Sequence, residues 1–391
     1  MRTEGVAVVI PVRNGARWLS DVLEAVVAEC TGLTHDVVVV DDGSEDSSRT
    51  IAARWAERGV RVIDGPCRGA AAAVNAGVRA TRGALIAQID QDVVVRPGWL
   101  ARLSDAMADP GVAAAQGWYV RDPNAPWLAR VMALDLEQRY ASIESGQTDH
   151  VCTGNVLWRR AAFDQVGGLD ETLGYGYDND FSYRLIDRGW RLTICDVAHS
   201  YHRWRDDWPG YFAQQYGFGY GRLDLVSRHP RRVGGDRVSP GAMMAHPLVL
   251  SLAIAMLAVS AVAWMAGGTG RVWVLVAALL VMSLAFERAI AGLGAYRQSR
   301  DWAALTFPAA HLARDVAWVA AIAVWLARRV TGSRVEPLQS MRPRVPRDSA
   351  LSARELAVRH ARSTESSGTG PVASTPVVGD ALGDGPKPVP D

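Results

Sequence analysis

A chain of 391 residues exceeds what one small hydrophobic core organises, and it predicts about two structural units plus tails. The formal net charge of +1 gives no global field to favour nucleic acid, and the single lysine, Lys387, among 42 basic residues reflects a bias toward arginine rather than a phosphate-binding surface. Four isolated cysteines, Cys30, Cys67, Cys152 and Cys195, form no C-x-x-C pair and fit no zinc spacing, so they read as small buried apolar residues of a reducing compartment.

In chain order, Val6–Ile10 reads as a buried first strand, too short for a signal-peptide core, which predicts a cytoplasmic N-terminal unit. The spacing of Trp18, Leu19, Val22, Leu23, Val26 and Val27 predicts a helix over 16–30. The β-branched run Val37–Val40 has the pattern of a strand buried on both faces. A helix is expected over 47–58, a strand at 60–63, a helix over 70–80 and a strand at 85–89. This alternation argues an α/β fold with a mostly parallel sheet covered by helices. Ligands of such sheets bind outside the carboxyl ends of the strands, which singles out Pro11–Asn14, Asp41–Ser44 and Asp90–Asp92. Residues 121–230 are less periodic; helical patterns recur at 126–143, 161–166 and 178–188, and the aromatic, Gly-rich stretch 208–222 is expected near a membrane surface.

From Pro247 the composition shifts. Pro247–Ala266 is 20 residues without charge, enough for a hydrocarbon core of about 30 Å. Val272–Phe286 is apolar before Glu287 and Arg288 interrupt, and those two must lie near an interface or pair with each other. The third segment, Ala303–Ala327, contains Pro308, His311, Arg314 and Asp315, and only Val316–Ala327 is uninterrupted. Two spans plus an interfacial or re-entrant helix place Arg231, Arg232, Arg237, Arg297, Arg300, Arg328 and Arg329 on the cytoplasmic side. The predicted units are 1–230, a membrane region over 231–330, and a disordered tail over 337–391 rich in Pro, Ser and Gly. The location implied is the inner or plasma membrane, multi-pass, with the first unit in the cytoplasm.

Asp41-Asp42-Gly43-Ser44 ends a buried strand, where carboxylates can accept hydrogen bonds from a nucleoside; Ser44, Asp46 or Ser47 can equally cap the next helix. Asp90-Gln91-Asp92 follows another strand. If it continues the strand, its two carboxylates share one side and suit a divalent metal that keeps water and substrate phosphates in its shell; alone, the triplet is more often a solvated acidic turn. Asp178 and Asp180 open a helical pattern, where Asp is commonly a cap and where a carboxylate also suits a general base. His199 and His202 follow the strand expected at Leu192–Cys195, as does Arg203; an imidazole there is a candidate metal or diphosphate ligand, against the commoner structural role.

Together these blocks resemble family 2 glycosyltransferases of GT-A fold with C-terminal membrane helices. The matching residues are Val9–Asn14, Val38–Ser44, Gly69 through Asn75-Ala76-Gly77, Leu85–Asp92, Gly167–Glu171 and Tyr177–Leu185. The resemblance covers roughly residues 5–225 and implies donor contacts from Pro11, Arg13, Asn14, Asp41, Asp42, Asn75, Asp90 and Gln91, with Pro11, Asn14, Asp41 and Asp42 at the nucleoside. It implies Mg²⁺ or Mn²⁺ on Asp92, Asp90 and His202, and Asp178 as the base of an inverting transfer. It further implies a nucleotide-sugar donor, a lipid-linked or envelope glycan acceptor, and contact with membrane lipid. Tyr177 stands where the family usually has Glu, Val74 where Arg is common, and the segment 214–219 lacks the Gln-x-x-Arg-Trp motif of processive synthases, so transfer of one or a few sugars is expected. The rival readings are transfer to a polyprenyl phosphate and a non-catalytic nucleotide-sugar-binding module.

Overall fold

The computed structural model describes residues 5–30, 35–143 and 146–332. The expected disordered tail over 337–391 lies outside the described residues.

The first half follows the expected alternation: β1 (Val6–Val12), α1 (Leu19–Glu29), β2 (His35–Asp41), α2 (Ser48–Ala53), β3 (Val60–Asp64), α3 (Ala70–Arg79) and β4 (Leu85–Ile89). All seven residues of β1 and the last five of β2 are buried, as continuous Val/Ile runs require in a sheet covered on both faces. These four strands are parallel in the order β3-β2-β1-β4. The crossovers leave β1 toward β2 on one side and reach β4 on the other. The crevice of such a sheet therefore opens at the C-terminal ends of β1 and β4.

Beyond β4 the parallel strands are joined by antiparallel ones, so the sheet as a whole is mixed. The elements are β5 (Val93–Val95), α4 (Trp99–Ala106), β6 (Val112–Tyr119), α5 (Trp127–Ala141), β7 (Gln147–Thr148), β8 (Asn155–Arg159), α6 (Arg160–Gln165), α7 (Tyr177–Asp187), β9 (Arg191–His202) and α8 (Trp208–Arg228). Strand β8 is antiparallel to both β4 and β6, β9 is parallel to β6, and β5 pairs antiparallel with the far end of β9. The Ala113–Ala115 run of β6 favours helix in isolation; burial between β8 and β9 overrides that weak preference.

Helix α7 is held to the sheet by an aromatic cluster. Phe181 is fully buried, with ring centroids 4.9 Å from Trp158 and 4.8 Å from Phe163. Phe181→Ala is expected to cost ~3–5 kcal/mol, read as a lowered thermal unfolding midpoint in detergent.

Three further helices follow: α9 (Gly241–Met265), α10 (Arg271–Ser299) and α11 (Phe307–Thr331). With the 3-10 turn before α11, these are three segments long and apolar enough to cross a membrane. Helices α9 and α10 form a hairpin whose outer part bares Leu248, Val262, Trp264, Leu275, Leu279 and Phe286. Glu287 and Arg288 pair with each other, as their position demanded. The third segment is not broken, contrary to the reading that left only twelve usable residues. Its helix is continuous, with Pro308 in the first turn, where no N–H is lost, and with His311, Arg314 and Asp315 buried. Arg314 bonds Asp315 at 2.9 Å, and His246 of α9 lies 3.3 Å from Asp315.

Candidate active site

The crevice is built from loops at the strand tips. Asn14 follows β1 in the left-handed region at φ 53°, which Asn tolerates better than most residues. Its Oδ1 accepts from Glu45 N–H at 2.8 Å, and its own N–H donates to Ser44 Oγ at 3.0 Å, which fastens the β1 and β2 tips together. Asp41 accepts from Ser44 N–H at 3.0 Å and faces Arg49 at 3.5 Å. Asp42 is buried; its Oδ2 accepts from Gly69 N–H at 2.7 Å, while its Oδ1 finds no hydrogen-bond partner among the described residues. That buried, unsatisfied acceptor is suited to an N–H or O–H of a ligand.

Asp90-Gln91-Asp92 does not continue β4. It forms the turn between β4 and β5, closed by Val93 N–H donating to Asp90 C=O at 3.1 Å, so strand alternation is not what places the two carboxylates. Gln91 ties this turn to the β1 tip: its Oε1 accepts from Arg13 N–H at 2.8 Å, and its amide donates to Arg13 C=O at 3.2 Å. The Asp90 N–H donates to Gly154 C=O at 3.1 Å. A Cβ at Gly154 would collide with the Asp90 carboxyl group, and Gly154 has φ +89°, so glycine is required there on both counts.

His199 and His202 lie within β9, which runs on past the predicted strand. His202 Nε2 is 3.5 Å from Asp92 Oδ1, whereas His199 turns away to the Asp196 carbonyl at 2.9 Å. Burial, only partly opposed by Asp92, holds the His202 pKa below the ordinary histidine value, so the ring is neutral at pH 7. A neutral imidazole beside a carboxylate is a fitting donor pair for a divalent cation, and Asp90 stands in the same turn. Burial first, then the charges of Tyr140, Asp90, Cys152 and Asp92, push the Tyr119 pKa well up.

Asp178 sits in the first turn of α7, whose N-cap is Gly176. Its Oδ1 accepts from Asn179 N–H at 2.9 Å, and its Oδ2 is 3.6 Å from His150 Nε2. Asp180 is structural, though not as a cap: it is buried and pairs with Arg184 at 2.7 Å and His229 at 2.8 Å. Asn75 is also structural. Its amide bonds Leu169 C=O at 2.8 Å and Glu171 at 3.0 Å, and its Oδ1 accepts from Leu169 N–H at 3.0 Å, so it braces α3 against the loop after α6 and offers no amide proton to a donor.

Sequence reasoning missed His150, Cys152 and Asp236, which surround Asp178. His150 Nε2 is 3.9 Å from Cys152 Sγ, and its Nδ1 is 3.8 Å from Asp236 Oδ1. Burial disfavours the imidazolium, but Cys152, Asp178 and Asp236 outweigh that cost and hold the His150 pKa well above the usual range. Burial likewise works against ionised Asp236, yet His150 and the Tyr183 hydroxyl at 2.6 Å win, and its pKa is lowered. No motif marks these residues; they come from the β7–β8 loop and from the segment between α8 and α9.

Contacts link the strand tips to α7. Thr153, next to Gly154, donates from its hydroxyl to the Tyr177 hydroxyl at 3.4 Å, and Tyr119 donates to Thr153 C=O at 3.4 Å. Asp42, Asp92 and Asp178 thus border one connected set of loops.

The glycosyl transferase family 2 profile matches residues 7–167. The chain is 36% identical over 250 residues to the pre-mycofactocin glycosyltransferase of Mycobacterium tuberculosis, covering 61% of this chain and 51% of that protein, so it spans about half that relative's length. It is 32% identical over 203 residues to an uncharacterized glycosyltransferase of the same organism, covering 51% of this chain and 87% of the relative. In fold it is similar to a mannosyltransferase from Pyrobaculum calidifontis solved with GDP-Man and Mn²⁺, at TM-score 0.56 and 22% identity over 81% of this chain and 87% of that one. With its GT-A architecture, the chain belongs to glycosyl transferase family 2.

Proposed function

We propose that the chain transfers a sugar, with inversion, from a nucleoside-diphosphate sugar to a hydroxyl of a lipid-linked or envelope glycan at a membrane surface. The observation that carries this reading is the run of contacts from Arg13–Gln91, through Asp90–Gly154, to Thr153–Tyr177 beside Asp178. It supports a reading in which a nucleoside-side acceptor, a phosphate-side acidic turn and a carboxylate base would serve one donor.

In this scheme Pro11, Asn14, Asp41 and the free Oδ1 of Asp42 bind the nucleoside, and Arg13 and Gln91 hold the turn beneath the diphosphate. Asp92, Asp90 and His202 would hold Mg²⁺ or Mn²⁺, which when bound offsets the charge gathering on the departing diphosphate. Asp178 accepts the proton of the acceptor hydroxyl as its oxygen bonds to the anomeric carbon. The bond from that carbon to the phosphate oxygen breaks on the opposite face, and the nucleoside diphosphate carries away the electron pair.

The hairpin of α9 and α10 is proposed to span the membrane, with α11 lying along the catalytic unit. Tyr211 of α8 donates to Ala310 C=O at 2.9 Å, Trp318 packs on Gly219, and the Trp325 indole donates to Asp224 at 2.8 Å. These contacts pin α11 to α8 along most of its length, which is why two crossings are favoured over three. Orientation with the crevice in the cytoplasm follows from the arginines flanking the hairpin base.

The test is incubation of the detergent-solubilised full-length chain with a panel of UDP- and GDP-sugars and a membrane-lipid extract, followed by mass spectrometry. Gain of one hexose or related mass on a lipid-linked species, with release of one nucleoside diphosphate, is expected. Binding of a donor with no release and no product in any extract would leave only a binding module.

A further inference from the structure

We propose that His150, Cys152 and Asp178 form a second metal site, of a borderline or soft divalent class such as Zn²⁺, whose occupation takes Asp178 out of the transfer reaction. The inhibition clause rests on the reading of Asp178 as base; the binding clause does not.

The three donors stand near enough to converge on one cation. One ligand atom from each residue, imidazole N, thiol Sγ and carboxylate O, lies within 4.8 Å of the others. The imidazole-to-carboxylate gap of 3.6 Å is longer than the roughly 2.7–3.2 Å of an N–H···O hydrogen bond. It is close to the roughly 3.3–3.6 Å between ligands that share a tetrahedral zinc with bonds of about 2.0 to 2.3 Å. The 3.9 Å gap from the imidazole to Sγ needs only a few tenths of an ångström of closure.

The surroundings supply the outer shell that such sites use. Metal-bound histidines commonly turn their other ring nitrogen to a carboxylate that fixes the tautomer. His150 Nδ1 faces Asp236 Oδ1, and Asp236 is itself fixed by the Tyr183 hydroxyl at 2.6 Å, Ser239 N–H at 2.7 Å and Asn179 at 3.2 Å. The Tyr140 hydroxyl donates to Cys152 Sγ at 3.4 Å, which fixes where the sulfur sits. His150 is buried while Cys152 and Asp178 are partly exposed to solvent. The donor set is also unlike the oxygen-rich turn at Asp90 and Asp92: a thiolate selects zinc-like ions, whereas Mg²⁺ and Mn²⁺ favour oxygens. One of the four cysteines that read in the sequence as inert is thus placed among ligands.

The experiment titrates the full-length chain in detergent, stripped of metal and freed of chelator, with Co²⁺. One equivalent should raise a near-ultraviolet thiolate-to-cobalt absorption that Zn²⁺ then removes. Cys152→Ser and His150→Gln should abolish the band, while Asp92→Asn and Cys67→Ser keep it. Without any variant, Zn²⁺ should protect Cys152 of the wild-type chain from iodoacetamide, read by mass spectrometry of its peptide. Zn²⁺ should also inhibit transfer in the presence of excess Mn²⁺, with the half-inhibitory concentration raised ~10-fold or more in Cys152→Ser. Absence of the band together with unprotected Cys152 would overturn the site, leaving only a proton between these groups. A band with fully active Asp178→Asn would keep the site and discard the base.

Discussion

Asp178→Asn is expected to keep the fold and the donor affinity of the wild type and to lose ~10²- to 10⁴-fold in transfer rate to a hydroxyl acceptor, the range that a positioned general base contributes. The amide keeps an oxygen to accept from Asn179 N–H, so the α7 start is preserved, and the side chain is only partly buried. What is removed is the ability to take a proton. Steady-state rates across acceptor concentrations check this: the loss should fall in kcat while the donor KM stays near its wild-type value. A polyprenyl phosphate acceptor makes the opposite demand. Its oxygen is already anionic and needs no base, so retention of most activity by Asp178→Asn would move the assignment to that acceptor class.

The second large effect is at the acidic turn. Asp92→Asn should lower transfer by ~10²-fold or more, the scale of several kcal/mol of charge stabilisation lost from the departing diphosphate. Chelation by EDTA should do the same to the wild type and add little to Asp92→Asn, because both remove one interaction. His202→Ala should fall in the same direction, and His199→Ala should not, since His199 is turned to the Asp196 carbonyl at 2.9 Å. Unimpaired transfer after chelation would remove the metal from the account.

Much of the frame was legible in the sequence because its signals are local. The Val/Ile runs of β1 and β2, and the turn residues that follow them, identify buried parallel strands without knowledge of their neighbours. The tips at Asn14, Asp42 and Asp92 follow from the rule for such sheets. What was not legible depends on distant pairing. The polyalanine run of β6 carries helix preference, and only β8 and β9 beside it make it a strand. Strand β9 runs on through His202 because β5 pairs with its far end. His150 and Asp236, 86 residues apart in numbering, meet behind Asp178 for reasons that no short pattern records. In the third apolar segment, the charges that break the hydropathy pattern are met in buried pairs, Asp315 with Arg314 and with His246, so composition understated the helix.

The most direct measurement is a structure of the full-length chain with Mn²⁺ and an unreacted donor analogue, with the metal located by its anomalous signal. The account predicts a manganese peak at Asp92 and His202, the nucleobase or ribose against Asp42 Oδ1, and the anomeric carbon turned toward Asp178. A donor seated away from the β4–β5 turn, or with Asp178 on the far side of its diphosphate, would contradict it.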